Sequence, residues 1–122
     1  MSVPAAINLA EKLSSFSDHW NPRIVANYNS NEVRVVKVQG DFTWHSHVDT
    51  DEMFLVLDGN LGIEFRGGIQ RLNPGQLLVV PKGVEHRPFA EKECHLLVLD
   101  RQGEPNTGSN PSEYTREKLE EI

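Results

Sequence analysis

From Asn21 to Leu99 the chain is interrupted every few residues by groups that reverse a backbone: Asn21-Pro22, Asn29-Ser30-Asn31, Asp58-Gly59, Gly67-Gly68, Asn73-Pro74-Gly75-Gln76 and Pro81-Lys82-Gly83. Proline fixes φ and removes a donor, glycine takes positive φ at no steric cost, and asparagine bonds its own backbone, so each group stops a helix before its turns can close. Between them stand apolar runs: Ile24 to Tyr28, Val33 to Val38, Met53 to Leu57, Leu61 to Phe65, Gln76 to Val80, one opening at His86, and Cys94 to Leu99. They read as about eight or nine short strands with no helix among them, which predicts an all-β domain closed as a barrel or double sheet. Asp58-Gly59 has the composition of a two-residue hairpin joining the strands on either side of it, and Asn73-Pro74-Gly75-Gln76 that of a type II turn. The apolar positions change phase between Val35 and Val36, which fits either a strand buried on both faces or a bulge.

The two ends have a different character. Asn8-Leu9-Ala10-Glu11 resembles a capping box, and Leu9, Leu13 and Phe16 fall near helical spacing, so a short helix is expected to brace the outside of the barrel until Ser17-Asp18 ends it. Gln102 to Pro111, rich in Gly, Asn, Pro and Ser, reads as a surface loop. Glu113 to Ile122 reads as a weak C-terminal helix or a solvated tail ordered by the barrel surface. The organisation is thus an N-terminal helical segment (1–20), a β-barrel (21–101) and a C-terminal loop and tail (102–122), one domain in all.

A chain of 122 residues buries roughly two thirds of its unfolded surface without needing disulfides. A formal charge of -6 and no basic stripe argue against nucleic acid as a partner. The longest apolar runs, Leu77 to Val80 and Leu96 to Leu99, are too short to span a membrane. Cys94 is the lone cysteine, and Met1 to Ala10 lack the basic start and unbroken apolar core of a signal peptide, so the expected compartment is the cytoplasm. Cys94 and His95 face opposite sides of a strand and cannot share an ion; Cys94 reads as core packing.

Chemistry concentrates in His45-Ser46-His47, Glu52 and His86. Histidines at i and i+2 of an extended segment project from one face and can grip a single ion. Glu52 shares parity with Phe54 and Val56, which turns it inward, whereas Asp49 and Asp51 read as solvated loop. A third imidazole from His86 completes a set of three nitrogens and one oxygen. That set suits a divalent transition ion (Fe, Mn, Ni, Zn or Cu), since Ca and Mg prefer all-oxygen shells and structural Zn prefers thiolates. Phe42 and Trp44 flank the first histidine and either line a pocket or fill the barrel.

The spacing resembles that of the cupin superfamily. Gly40, then His45-x-His47, Glu52 and Gly59, is similar to its first motif with one residue fewer after the opening glycine; Gly75, Pro81-x-Gly83 and His86 is similar to its second, with Ala90 where an asparagine is usual. The separation from Asn60 to Pro74 is the short one of small single-domain members. The resemblance implies a double-stranded β-helix, or jelly-roll barrel, holding one metal ion in its mouth through His45, His47, Glu52 and His86. It also implies a small-molecule ligand or substrate. The family's chemistry is broad, so the expectation is a metal-dependent enzyme, dioxygenase-like or isomerase-like, on a small oxygen-bearing molecule. The alternative is a non-catalytic binding or sensing module. No catalytic residue beyond the ligands is assigned. Strands Met53 to Leu57, Leu77 to Val80 and Leu96 to Leu99 are apolar on both faces, so a homodimer is expected to cover their outer side.

Overall fold

The computed structural model describes residues 2–122. Its elements are α1 (Leu9–Ser14), β1 (Arg23–Tyr28), β2 (Asn31–Asp41), β3 (Glu52–Asp58), β4 (Leu61–Phe65), β5 (Gly68–Leu72), β6 (Leu77–Val80), β7 (His86–Arg101) and β8 (Glu120–Glu121). The Asn8 side chain accepts from the Glu11 amide at 3.1 Å, as the capping signal requires. The helix stops at Ser14, earlier than Ser17-Asp18, because the Ser14 and Ser15 hydroxyls turn back to the Glu11 and Lys12 carbonyls and close its end. Leu13 is buried and α1 lies against β2, so the helix braces the outside of the sheet.

The all-β barrel expected from the turn pattern is present, and its organising strand is β7. The runs at His86 and at Cys94 to Leu99 are one continuous strand of 16 residues. One edge of β7 pairs with β2 from Asn31↔Arg101 to Asp41↔Phe89; the other pairs with β3 (Met53↔Leu99 to Asp58↔His95) and then with β4 (Gly62↔Phe89 to Phe65↔His86). β3 and β4 therefore run in line along β7 and do not pair with each other, which corrects the hairpin expected at Asp58-Gly59. Gly59 is needed there for a different reason: its φ is +82°, and a Cβ would sit 2.8 Å from the Glu93 carbonyl, where the chain bends against β7. The hairpin lies one step later, between β4 and β5 across Arg66-Gly67. At Asn73-Pro74-Gly75-Gln76 the type II turn is as read: Gly75 has φ +84° and the Gln76 amide reaches the Asn73 carbonyl at 3.0 Å.

Alternating side chains from β2 to β7 meet in one core: Val36, Val38, Phe54, Val56, Leu61, Ile63, Leu72, Val80, Ala90, Cys94, Leu96 and Val98, closed by Trp20 and Phe42. The sheet thus curls around its own interior. Across Val35 and Val36 the β2–β7 register is unbroken and both residues are buried, so this strand is covered on both faces; the register shifts lie elsewhere, at Ile24/Ala26 of β1 and at Val38/Gly40 of β2.

The C-terminal helix does not form. Residues 102–119 are loop and turns, and the chain ends as β8, parallel to Arg23 and Ile24 of β1. Polar side chains within the segment take the backbone groups that a helix would use. Asn106 donates to the Tyr114 carbonyl and accepts from the Arg116 amide, and Thr115 accepts from the Ser112 amide. Among the described residues no helix is long and apolar enough to cross a membrane.

Candidate metal centre

His45 and His47 lie on the extended segment between β2 and β3, which is stitched to the chain around His86. The His45 amide donates to the His86 carbonyl at 3.0 Å, the His86 amide returns the bond at 2.9 Å, and the Gly83 amide donates to the His47 carbonyl at 2.8 Å. Glu52 opens β3 on the inward side, with Phe54 and Val56 behind it. All four residues are buried, and one donor atom from each lies within 4.8 Å of the others. Donor atoms held by one ion at roughly 2.1 Å would lie within about 4.2 Å of one another, so these four residues could hold an ion after a small contraction.

Hydrogen bonds set the direction of each ring. His45 Nδ1 is 2.9 Å from the Thr43 carbonyl, and His86 Nδ1 is 3.0 Å from the Val84 carbonyl, in both cases two residues back along the chain. A carbonyl can only accept, so Nδ1 carries the proton and the Nε2 lone pair is left for the centre. His47 Nδ1 lies 3.2 Å from Glu104 Oε2. Within the centre, Glu52 Oε1 is 3.2 Å from His86 Nε2 and 3.3 Å from His47 Nε2. His47 Nε2 is buried, and although Glu52 Oε1 lies 3.3 Å away the pair lacks hydrogen-bond geometry, which leaves this nitrogen open to a partner that is not protein. Convergent imidazole nitrogens with one carboxylate fit a divalent first-row transition ion and not Ca or Mg.

Electrostatics agree. Burial, helped by the neighbouring His86, pushes His45 down to about 4, which keeps it neutral near pH 7. Burial alone opposes charge on His47, but Glu52 and Glu104 outweigh it and raise its pKa. Glu52 is driven the same way by its partners: against burial, His47 and His86 hold its carboxyl well below the usual range. Burial and the Glu52 charge push Asp100 well above it.

Asp100 leads to what the sequence reading missed. Arg34, 1% exposed, donates to Glu32 Oε1 (2.7 and 3.1 Å), Asp100 Oδ2 (3.1 Å) and the Glu104 carbonyl (2.8 Å). Asp100 comes one residue after the Met53↔Leu99 pair and so stands beside Glu52. A signal for this network exists in the alternation: Glu32 and Arg34 share parity with Val36 and Val38, and Asp100 with Leu96 and Val98, so charges occupy core positions. Other readings hold. Asp49 and Asp51 are exposed, with Asp51 accepting from the Lys82 amide. Cys94 is fully buried among core side chains, and burial with the nearby Asp58 pushes its thiol up to about 12. Phe42 is a core residue stacked on Trp20 at 4.6 Å, whereas Trp44 stands outside the core under the Arg66 guanidinium at 3.8 Å.

Beside His45 and Glu52 lies a half-open cavity of about 40 Å³, walled by Trp20, Phe42, Phe54, Val38 and Leu96, with Asp100 and Asn106 as its further polar residues.

With that geometry in hand, comparison with known proteins is informative. A family model described as the cupin domain matches residues 32–100. The crystal structure of a cupin-2 domain containing protein from Shewanella frigidimarina NCIMB 400 superposes with a TM-score of 0.78 at 45% identity, over 79% of this chain and 94% of that one. A structure of a Neisseria meningitidis protein gives 0.74 at 31%, over 80% and 100%. The uncharacterized protein YdbB of Bacillus subtilis (strain 168) is 35% identical over 81% of this chain and 83% of its own length.

Proposed function

The chain belongs to the cupin domain family, and we propose that it is a metal-dependent enzyme in which His45, His47, Glu52 and His86 hold one divalent ion for work on a small oxygen-bearing organic molecule. The observation that carries this reading is the buried His47 Nε2 without a hydrogen bond, at the convergence of two other inward-turned imidazoles and a carboxylate. A bound ion of this class supplies Lewis acidity or dioxygen chemistry, which leaves dioxygenase-like and isomerase-like reactions as the two candidate types.

The chain's own residues constrain the ligand. The cavity reaches the centre on its His45 and Glu52 side and at about 40 Å³ has room for little more than a water or one ligand oxygen, so the carbon body of a ligand lies outside it. Apolar walls beside the centre lower the local dielectric and strengthen charge interactions there. Asp100, held by Arg34, stands at the polar end of the cavity beside Glu52. One observation favours holding a ligand without turnover: apart from His45 and Glu52, two of the proposed ligands, the lining offers few polar groups to move protons. Metal-loaded protein screened with small catechols, thiols and diketones separates the two, with oxygen consumption and product formation read beside binding by thermal shift. Turnover of any of them supports the enzyme, and binding with no turnover across the set favours the sensing module.

The partner reading extends to self-association. On the outer face the register lines up Val79, Met53 and Leu99 in one row and Leu77, Leu55 and Leu97 in the next, across β6, β3 and β7. Leu77 is 58% exposed and Val79 49%. A continuous apolar ladder of this kind is the surface on which a second copy packs, giving a symmetric homodimer. The lone, buried thiol of Cys94 is compatible with the reducing cytoplasm, the compartment this reading adopts.

A further inference from the structure

The segment after β7 reads in sequence as surface loop, yet it grips the stretch that carries two of the proposed ligands. Ser46, between His45 and His47, has both backbone groups bonded to it: the Ser109 amide donates to the Ser46 carbonyl at 2.9 Å, and the Ser46 amide donates to Asn110 Oδ1 at 3.1 Å. Gly108 passes so close that a Cβ there would collide with the Ser46 carbonyl oxygen and lie 3.2 Å from His47 Nδ1. Thr107 is fully buried and its hydroxyl meets Thr115 at 2.6 Å, while Tyr114 packs on Phe42 with ring centroids 5.1 Å apart. Residues 104–110 are thus a packed strap.

At the start of the strap Glu104 does two things with two different groups. Its carbonyl accepts from Arg34, which anchors the strap to the buried ion network; its carboxylate lies 3.2 Å from His47 Nδ1. The other two imidazoles are oriented by carbonyls two residues back in their own segments, so their direction is local. His47 has no such carbonyl. Its partner on Nδ1 comes from far along the chain, and without it neither the tautomer nor the ring orientation is fixed.

We infer that Glu104 is a positioning residue for the metal centre, and that the Glu104–Asn110 strap is the device that holds His47 with Nε2 turned inward. The inference rests on the metal reading above. Glu104 acts on the far nitrogen of His47, so it is not a fifth ligand.

The test uses the full chain, stripped of metal and titrated with Zn²⁺ against a competing chelator, with thermal melting of the metal-free protein alongside and the ¹⁵N shifts of the His47 ring as a direct report of its tautomer. Glu104→Ala removes the carboxylate and leaves the Arg34 bond, which goes to the backbone. It is expected to weaken Zn²⁺ binding by about 10- to 100-fold and to change the His47 ring shifts. Glu104→Gln, whose amide oxygen can still accept from Nδ1–H, is expected to restore most of the affinity. Gly108→Val, which pushes the strap off Ser46, is expected to weaken binding in the same direction with all ligands intact. Glu93→Ala, an exposed carboxylate on His19 and His95, serves as the comparison and should leave Zn²⁺ affinity unchanged. If the parent chain binds Zn²⁺ tightly and Glu104→Ala binds it equally well, or if Ala and Gln variants merely melt lower together with unchanged affinity, the inference is overturned while the metal reading stands. If the parent chain does not bind Zn²⁺, both fall.

Discussion

Arg34→Met is the perturbation with the largest consequence for the fold. The guanidinium is 1% exposed and makes four hydrogen bonds, three to the carboxylates of Glu32 and Asp100 and one to the Glu104 carbonyl. Glu32 and Asp100 face each other directly in the β2–β7 register, so Arg34 is the charge that lets two carboxyls share one buried place. Methionine keeps most of the volume and removes the charge. Breaking a buried ion network from one side costs about 3–5 kcal/mol, because the partners stay buried without compensation. Against a total of roughly 5–15 kcal/mol for a domain of this size, that is a large share of the stability. Urea denaturation of metal-free protein, followed by far-ultraviolet circular dichroism, should show the midpoint falling with the slope unchanged. Replacing the whole network, in Glu32→Leu/Arg34→Met/Asp100→Leu, should recover part of the loss, because Glu32 no longer stays buried without its cation, while Glu52 still loses Asp100 as a neighbour. Arg66→Met, at an ion pair more than half exposed and a stack on Trp44, should cost no more than about 1 kcal/mol. A cost below about 1 kcal/mol for Arg34→Met would show that water solvates the network and refute the reasoning.

Three further outcomes are expected. Gly62→Ala places a methyl where the Phe89 ring now lies against the β4 backbone, and should destabilise by about 1–3 kcal/mol by thermal melting, a loss that Gly62→Ala/Phe89→Leu partly relieves. Metal affinity should weaken as pH falls through the His47 pKa, which lies above 6.5, by about tenfold per unit for one competing proton, while His45, at about 4, stays neutral across that range. In metal-free protein the sign is opposite: charged His47 between Glu52 and Glu104 adds stability below pH 6.5 that is lost as pH rises through its raised pKa, so melting temperatures with and without Zn²⁺ should diverge with pH. Light scattering at micromolar concentration should find a dimer that Leu55→Glu dissociates, and a 13.8 kDa species for the parent chain would refute it.

How much of this was readable in the sequence follows from how local each signal is. Strand parity is local: Glu52-x-Phe54-x-Val56 declares its inward face without reference to any partner, and His45-x-His47 likewise, so the convergent set could be named residue by residue. Pairing is not local. Asp58-Gly59 carries the same composition whether two strands fold back on each other or continue in line, and the choice was made by β7. That strand is long enough to seat both β3 and β4 along one edge, but it looks divided because Glu91-Lys92-Glu93 interrupts its apolar run where it is exposed. In the tail composition found the surface loop but not what it holds. Gly, Asn, Pro and Ser between Gln102 and Pro111 are what a solvated loop uses, and also what a packed strap uses when side chains bond backbone. Glu104 was invisible for that reason, whereas Arg34 and Asp100 were marked by charge at inward parity.

The central claim is that His45, His47, Glu52 and His86 together hold one metal ion, and elemental analysis of protein purified without a histidine tag tests it most directly. The account predicts one divalent transition ion per chain in the parent protein and none in His45→Ala/His47→Ala, with the variant still folded by circular dichroism. A folded double variant that keeps the full metal content of the parent would contradict it.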